Sequence, residues 1–257
     1  MIRPGMVSVT FRKLSARQIV SWSAKAKLAC IEWGGDVHVP PGELETARQV
    51  AAMTRDAGLV VASYGSYYRM GQEAPESFAR VLETALALGA PIIRVWAGRL
   101  GSDKADATHR RQVADDGRRI TEMAQPPGVR IATEWHGNTL TDTAESAKAL
   151  LDAVGHPAFR TYWQMNGHRT LEGHLHDLEA ALPRLVGLHV SYDDPQTGQR
   201  RPLADGAAYW RPLLAKAAPA GDVPAMLEFV LNDDPSQMVQ DASALREWLE
   251  ETANLEP

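Results

Sequence analysis

Residues 129–136 read VRIATEWH, a β-rich run whose polar residues gather at its end as Glu134 and His136. Seven further runs have the length of a barrel strand: MVSVTF from Met6, LACIEW from Leu28, LVVASYG from Leu59, PIIRVWAG from Pro91, FRTYWQMN from Phe159, LVGLHVSY from Leu185 and PAMLEFV from Pro224. Between them lie longer Ala/Leu/Arg/Glu-rich stretches. SARQIVSWSAKAK, GELETARQVAAMTRDAG and PESFARVLETALALG read as helices, the last two stopping at Gly58 and Gly89 in the manner of helix C-caps. THRRQVADDGRRITEMA, TDTAESAKALLDAVG, LEGHLHDLEAALPR and SQMVQDASALREWLEE read as later helices, the first weakened by Gly117. This alternation is the pattern of repeated βα units and a parallel sheet.

An open, doubly wound sheet alternates in the same way, so phosphate-binding turns decide between the two. No GxGxxG follows the first strand and no GxxxxGK[ST] occurs anywhere, which removes the Rossmann and P-loop readings. Eight strands in 257 residues, against roughly 250 typical of the fold, predict an α/β protein with a single (β/α)8 TIM barrel over 1–257. No Pro/Gly/Ser-rich linker or charge run divides the chain.

Composition narrows the function classes. Forty-four per cent hydrophobic and 23% charged residues are ordinary for a globular protein with a sizeable core. A formal charge of −5 argues against a nucleic-acid surface, which needs a basic face for phosphates. Cys30 is alone, so an intrachain disulfide and a thiolate metal cluster are both excluded, and it reads as a small buried residue. No apolar run reaches the length of a membrane span and the N-terminus lacks a signal-peptide core, giving the expectation of a cytoplasmic protein without a membrane partner. A homo-oligomer is compatible with all of this.

In a parallel barrel, chemistry sits at the C-terminal strand ends. There the fifth run ends Glu134-Trp135-His136, the sixth Gln164-Met165-Asn166, the seventh carries His189 and the eighth Glu228. Side chains alternate along a strand, so Glu134 and His136 share a face, as do Gln164 and Asn166. Two carboxylates, an amide oxygen and an imidazole form a mixed O/N set suited to one divalent ion, Mn²⁺, Mg²⁺, Co²⁺ or Zn²⁺. Each residue alone could be a strand-end ion pair or a satisfied core histidine; four on consecutive strands favour a metal site.

The order of these endings resembles the xylose isomerase-like barrels, a family of sugar phosphate isomerases and epimerases. IEWGGDVHV at Ile31, SYGSYYRMG at Ser63, IIRVWAG at Ile92, IATEWHGNT at Ile131, TYWQMN at Thr161, GLHVSYD at Gly187, RPLADGAAYW at Arg201 and MLEFV at Met226 carry the resemblance over nearly the whole chain. It implies a metal held by Glu134, Gln164, His189 and Glu228, with Gln164 standing where the family has an aspartate and so removing a negative charge. It also implies a metal-stabilised enediolate, with Glu134 and Glu228 as acid/base groups and His136 as a further base. His168, four residues after Gln164, is too far along to match the Asp-x-x-His spacing of some relatives and is not expected to be a ligand.

Asp36 and His38 fall where the family places contacts to substrate hydroxyls, with the alternative that DVHVPPGE is only an Asp-stabilised turn. Tyr67, Tyr68 and Arg69 form a polar loop and Asn166 shares the face of Gln164; Tyr68, Arg69 and Asn166 are expected to bind substrate, with packing over the barrel rim as the alternative for the tyrosines, and Trp96 ends a strand where it could stack on a sugar ring. His174 and His176 lie on a helix and are expected at its exposed face. The leading expectation is an isomerase or epimerase of a small sugar-like keto compound. The alternatives are a lyase or dehydratase on an oxidised sugar or inositol, and a non-catalytic sugar-binding barrel; a three-metal phosphodiesterase lacks the ligands.

Overall fold

Sequence periodicity already separates an inner face from an outer one, and the computed structural model, which describes residues 1–74, 76–167 and 169–254, arranges those faces around a closed barrel. Among the described residues the strands are β1 (Arg3–Val7), β2 (Cys30–Gly34), β3 (Val60–Arg69), β4 (Ile92–Trp96), β5 (Arg130–Thr133), β6 (Phe159–Trp163), β7 (Leu185–Val190) and β8 (Pro224–Leu227). They pair in parallel in sequence order, and β1 closes on β8 through Arg3↔Pro224 to Met6↔Leu227. Helices α1 (Ala16–Lys25), α2 (Leu44–Asp56), α3 (Ser77–Leu88), α4 (Ala107–Ala124), α5 (Ala144–Val154), α6 (Leu171–Ala181), α7 (Ala207–Ala217) and α8 (Pro235–Ala253) return the chain between strands. None is long and apolar enough to cross a membrane.

Local chemistry sets the boundaries. Ser15 caps α1 in a reciprocal pair with Gln18, and Thr143 caps α5 by accepting from the Ser146 amide. Gly89 ends α3 at φ 72°, a left-handed position that glycine adopts without a Cβ penalty. Two expectations shift. The first strand is not Met6–Phe11 but Arg3–Val7, followed by a 3₁₀ turn over Ser8–Phe11 whose Thr10 hydroxyl accepts from the Phe229 amide at 3.1 Å. Pro4 and Gly5 hide the true start, yet Gly5 suits it, because a Cβ there would lie 2.6 Å from Cys30 Sγ. Helix α7 carries Pro212 inside it, which removes an amide donor and obscured the helical pattern.

Two apolar clusters result. The larger joins the outward strand faces to the helices and includes Trp33, Trp135, Trp163 and Trp210, all buried. The smaller contains Cys30, Ile92, Ala132, Tyr162 and Met226. Each of these five lies two residues before a polar residue, Glu32, Arg94, Glu134, Gln164 and Glu228 respectively. With a period of two, the apolar layer and the polar layer share the inward face, and the polar layer lies toward the strands' C-terminal ends.

Candidate active site

Glu32 on β2, Arg94 on β4, Glu134 just beyond β5, His189 on β7 and Glu228 just beyond β8 converge with their side chains almost wholly out of solvent. The Glu134 amide continues the sheet ladder by donating to Val95 O at 3.2 Å, and that of Glu228 does so to Val190 O at 2.9 Å, so both carboxylates project from fixed backbone. Gly187 leaves room for the Tyr162 ring, which a Cβ would approach to 2.3 Å, and that ring lies 5.1 Å from the His189 imidazole.

Arg94 forms the charged centre. Its Nε donates to Glu32 Oε1 at 2.7 Å and its Nη1 to Glu134 Oε2, while the Ser63 hydroxyl donates to Glu32 Oε2 at 2.6 Å. Burial opposes ionisation of Glu32, but Arg94 and His189 outweigh it and hold the carboxyl down at about 2. Glu134 is likewise lowered, against its burial, chiefly by Arg94. Arg94 is raised well above its ordinary value because Glu134 and Glu32 outweigh the cost of burying it.

His189 Nδ1 lies 3.2 Å from Glu228 Oε2 and 3.4 Å from Glu134 Oε1. Neither contact has hydrogen-bond geometry, and both ring nitrogens are buried without a hydrogen-bond partner. Burial disfavours the imidazolium, yet Glu228 and Glu32 raise His189 well above its ordinary value. An orphaned imidazole nitrogen flanked by two carboxylate oxygens at this spacing suits a shared ion, since ligands about 2.0–2.2 Å from one centre sit roughly 3 Å apart. Glu134, His189 and Glu228 together could hold such an ion.

A cavity of ≈ 310 Å³ opens onto this cluster, with Arg94, Glu134 and Glu228 in its wall beside Tyr67, Trp96 and His136. Gln164 is also in the wall; its Nε2 donates to Trp135 O at 2.7 Å, leaving Oε1 as its acceptor. His136 packs on Trp96 with ring centres 4.4 Å apart, and its Nδ1 meets Gly137 O at 2.8 Å. A carbonyl only accepts, so Nδ1 is the donor in this contact. Arg69 stacks on the other expected residue, Trp96, 3.9 Å from the ring centre.

The remaining expected contacts are placed differently. Asp36 pairs with Arg12 at 2.8 Å, and Arg12 in turn donates to the Tyr67 hydroxyl at 2.9 Å, so Asp36 reaches the cavity only through that arginine. His38 is buried, with Nδ1 3.0 Å from Ser8 Oγ and Nε2 3.1 Å from Leu14 O, and joins two loops instead of lining the cavity. Tyr68 turns toward α4, where its hydroxyl donates to Asp116 at 2.9 Å and its ring packs edge-on against Phe78. A break in the β3–β4 register after Gly65, with Tyr67 at φ 59°, puts Tyr67 in the cavity in its place. Asn166 is half-buried beyond β6 and is not among the described residues lining the cavity. His168 lies outside the described residues. His174, expected to be exposed, is buried against Trp163 on α6, and burial and Arg169 lower it to about 4.

Glu32 and Arg94 were not anticipated as site residues. Their signal was present: opposite charges embedded in the apolar runs CIEW and IIRVW, each on the inward face two residues after a barrel-filling side chain.

A search of curated proteins finds no match. Among solved structures, the fold is similar to that of the probable 3-DHS dehydratase AsbF from Bacillus anthracis, at 18% identity and TM-score 0.81 over 95% of this chain and 99% of that one. It is also similar to a xylose isomerase-like TIM barrel protein from Mycobacterium smegmatis in complex with magnesium, at 16% identity and TM-score 0.74 over 97% of both chains. A D-allulose 3-epimerase from Methylomonas sp. shares 15% identity at TM-score 0.71 over 98% of both. At these identities the likeness is one of fold. Residues 20–251 match the model of the xylose isomerase-like TIM barrel family, and the chain belongs to that family.

Proposed function

We propose that the protein is an enzyme that moves a proton on the carbon beside a carbonyl in a small polyhydroxylated substrate, as an isomerase or epimerase. The observation that carries this reading is the orphaned His189 Nδ1 set between Glu134 Oε1 and Glu228 Oε2, two carboxylates that line a cavity of ≈ 310 Å³. Glu134, His189 and Glu228, with Gln164 Oε1 as a fourth donor, would hold one divalent ion, Mn²⁺, Mg²⁺, Co²⁺ or Zn²⁺. When bound, such an ion supplies Lewis acidity to the substrate oxygens and makes the adjacent C–H more acidic.

The two carboxylates then divide the work. One oxygen of Glu134 is occupied by Arg94, which makes that carboxylate a poor proton acceptor and a fixed ligand. Glu228 has no arginine on its carboxylate among the described residues and is the stronger candidate for the abstracting base. His136, which lines the same cavity, would in its protonated form return a proton to carbon from another direction.

His136 also supports a second reading, elimination of water, in which Nε2 in its protonated form delivers the proton to a departing hydroxyl. The fold likeness to a probable dehydratase and to a ketose epimerase is compatible with either outcome. Incubating the protein with ketoses, keto-inositols and hydroxylated keto acids in D₂O, with each of the four metals, separates them. Deuterium gained with the carbon skeleton and oxygens intact supports epimerisation or isomerisation, and loss of water supports the lyase. If no compound exchanges or is consumed with any metal, the proposal fails.

A further inference from the structure

The Arg94 guanidinium is held at two of its three nitrogens, by Glu32 Oε1 on Nε and by Glu134 Oε2 on Nη1. Its third nitrogen, Nη2, has no hydrogen-bond partner among the described residues. Arg94 is nevertheless part of the cavity wall, alongside Glu134, Gln164 and Glu228. The position of Nη2 depends on Gly65 of β3: a Cβ there would lie 2.7 Å from Nη2 and 3.0 Å from Glu32 Oε1. The Tyr67 ring, 5.5 Å from the guanidinium carbon, packs over the same group. Two carboxylates, a glycine slot and an aromatic ring thus fix a permanently charged donor beside the expected ligands.

We propose that Arg94 is a catalytic residue whose Nη2 donates to the substrate oxygen on which negative charge develops. The proposal rests on the proton-transfer reading above. As the C–H bond breaks, the proton passes to the Glu228 carboxylate and the electron pair moves through the adjacent carbon to the carbonyl oxygen, which accepts the hydrogen bond from Nη2. Return of a proton to carbon reverses the shift, so no oxidant or reductant is needed. Arg94 stays charged throughout, and because its carboxylate partners pre-position it, no reorganisation accompanies the charge movement.

Arg94→Met alone leaves Glu32 buried without its partner and can lose the fold, so the informative variant is Glu32→Gln/Arg94→Met, with Arg94→Lys as a second. Calorimetry would measure Mn²⁺ binding first, and then binding of glycolohydroxamate, an anionic mimic of an enediolate, to the Mn²⁺-loaded protein. The expected result is Mn²⁺ affinity within about threefold of wild type and hydroxamate affinity weakened about 10- to 100-fold in the double variant, as for loss of a charge-assisted hydrogen bond, with partial recovery in Arg94→Lys. If Mn²⁺ affinity collapses while the loaded protein binds hydroxamate normally, Arg94 only positions Glu134 and the proposal is overturned. Unchanged affinities for both overturn it as well. Absence of hydroxamate binding by Mn²⁺-loaded wild type would instead remove the proton-transfer reading and this inference together.

Discussion

Glu134 and Glu228 both face the His189 imidazole, but among the described residues a guanidinium clamps only Glu134. From that difference, Glu228→Gln, assayed at saturating metal, is expected to lower solvent exchange by about 10²- to 10⁴-fold while an unreactive polyol still binds. Retained turnover would move the base elsewhere. The Arg94 ion pairs make a stability prediction as well. Glu32→Ala removes one of the two carboxylates paired with a buried guanidinium and should cost about 3–5 kcal/mol, measured by urea unfolding. Because folding lowers the Glu32 carboxyl from 4.5 to about 2, its contribution is full above pH 4.5 and is lost as pH falls toward 2. The stability gap between wild type and Glu32→Gln should therefore narrow through that window, and a gap constant between pH 6 and pH 3 would contradict the assignment.

At the scale of the element, strand geometry decides which polar residue faces the cavity. Alternation beyond β5 was enough to group Glu134 with His136. It could not choose between Tyr67 and Tyr68, because the β3 irregularity shifts the alternation and places Tyr67 in the left-handed region. Glu32 and Arg94 were readable as inward residues, but their pairing crosses β3, which lies between β2 and β4, and joins residues 62 positions apart in the sequence. Glycines show the same dependence on partners. Gly187→Ala would drive a methyl into Tyr162, whose ring packs on His189, the proposed ligand, and should cost about 1–3 kcal/mol with weaker Mn²⁺ binding as the His189 ring shifts. Unchanged melting and metal affinity would mean that the ring relaxes freely.

At the scale of the molecule, the barrel brings residues from β2, β4, β7 and the loops after β5 and β8 onto one centre, so binding of the proposed metal would be coupled to global stability. With Mn²⁺ at 100 times its dissociation constant, the linkage adds about 2.7 kcal/mol, and for a domain of this size that raises the melting temperature by several degrees. The rise should vanish in a Glu134→Ala/Glu228→Ala variant; a rise that persists there would place the ion elsewhere.

Strand and helix periods, the glycine stops and the missing nucleotide-binding turns determined the barrel and its functional end from sequence alone, because those signals are local and repeat in every βα unit. The polar residues at the ends of the late strands were visible for the same reason. Only the tertiary structure decided that an internal arginine is paired with Glu32 and Glu134, that His38 and Tyr68 pack into the scaffold, and that Tyr67 faces the cavity. Those outcomes depend on cross-strand register, on one β irregularity and on the space left by Gly65 and Gly187, which are relations between distant segments.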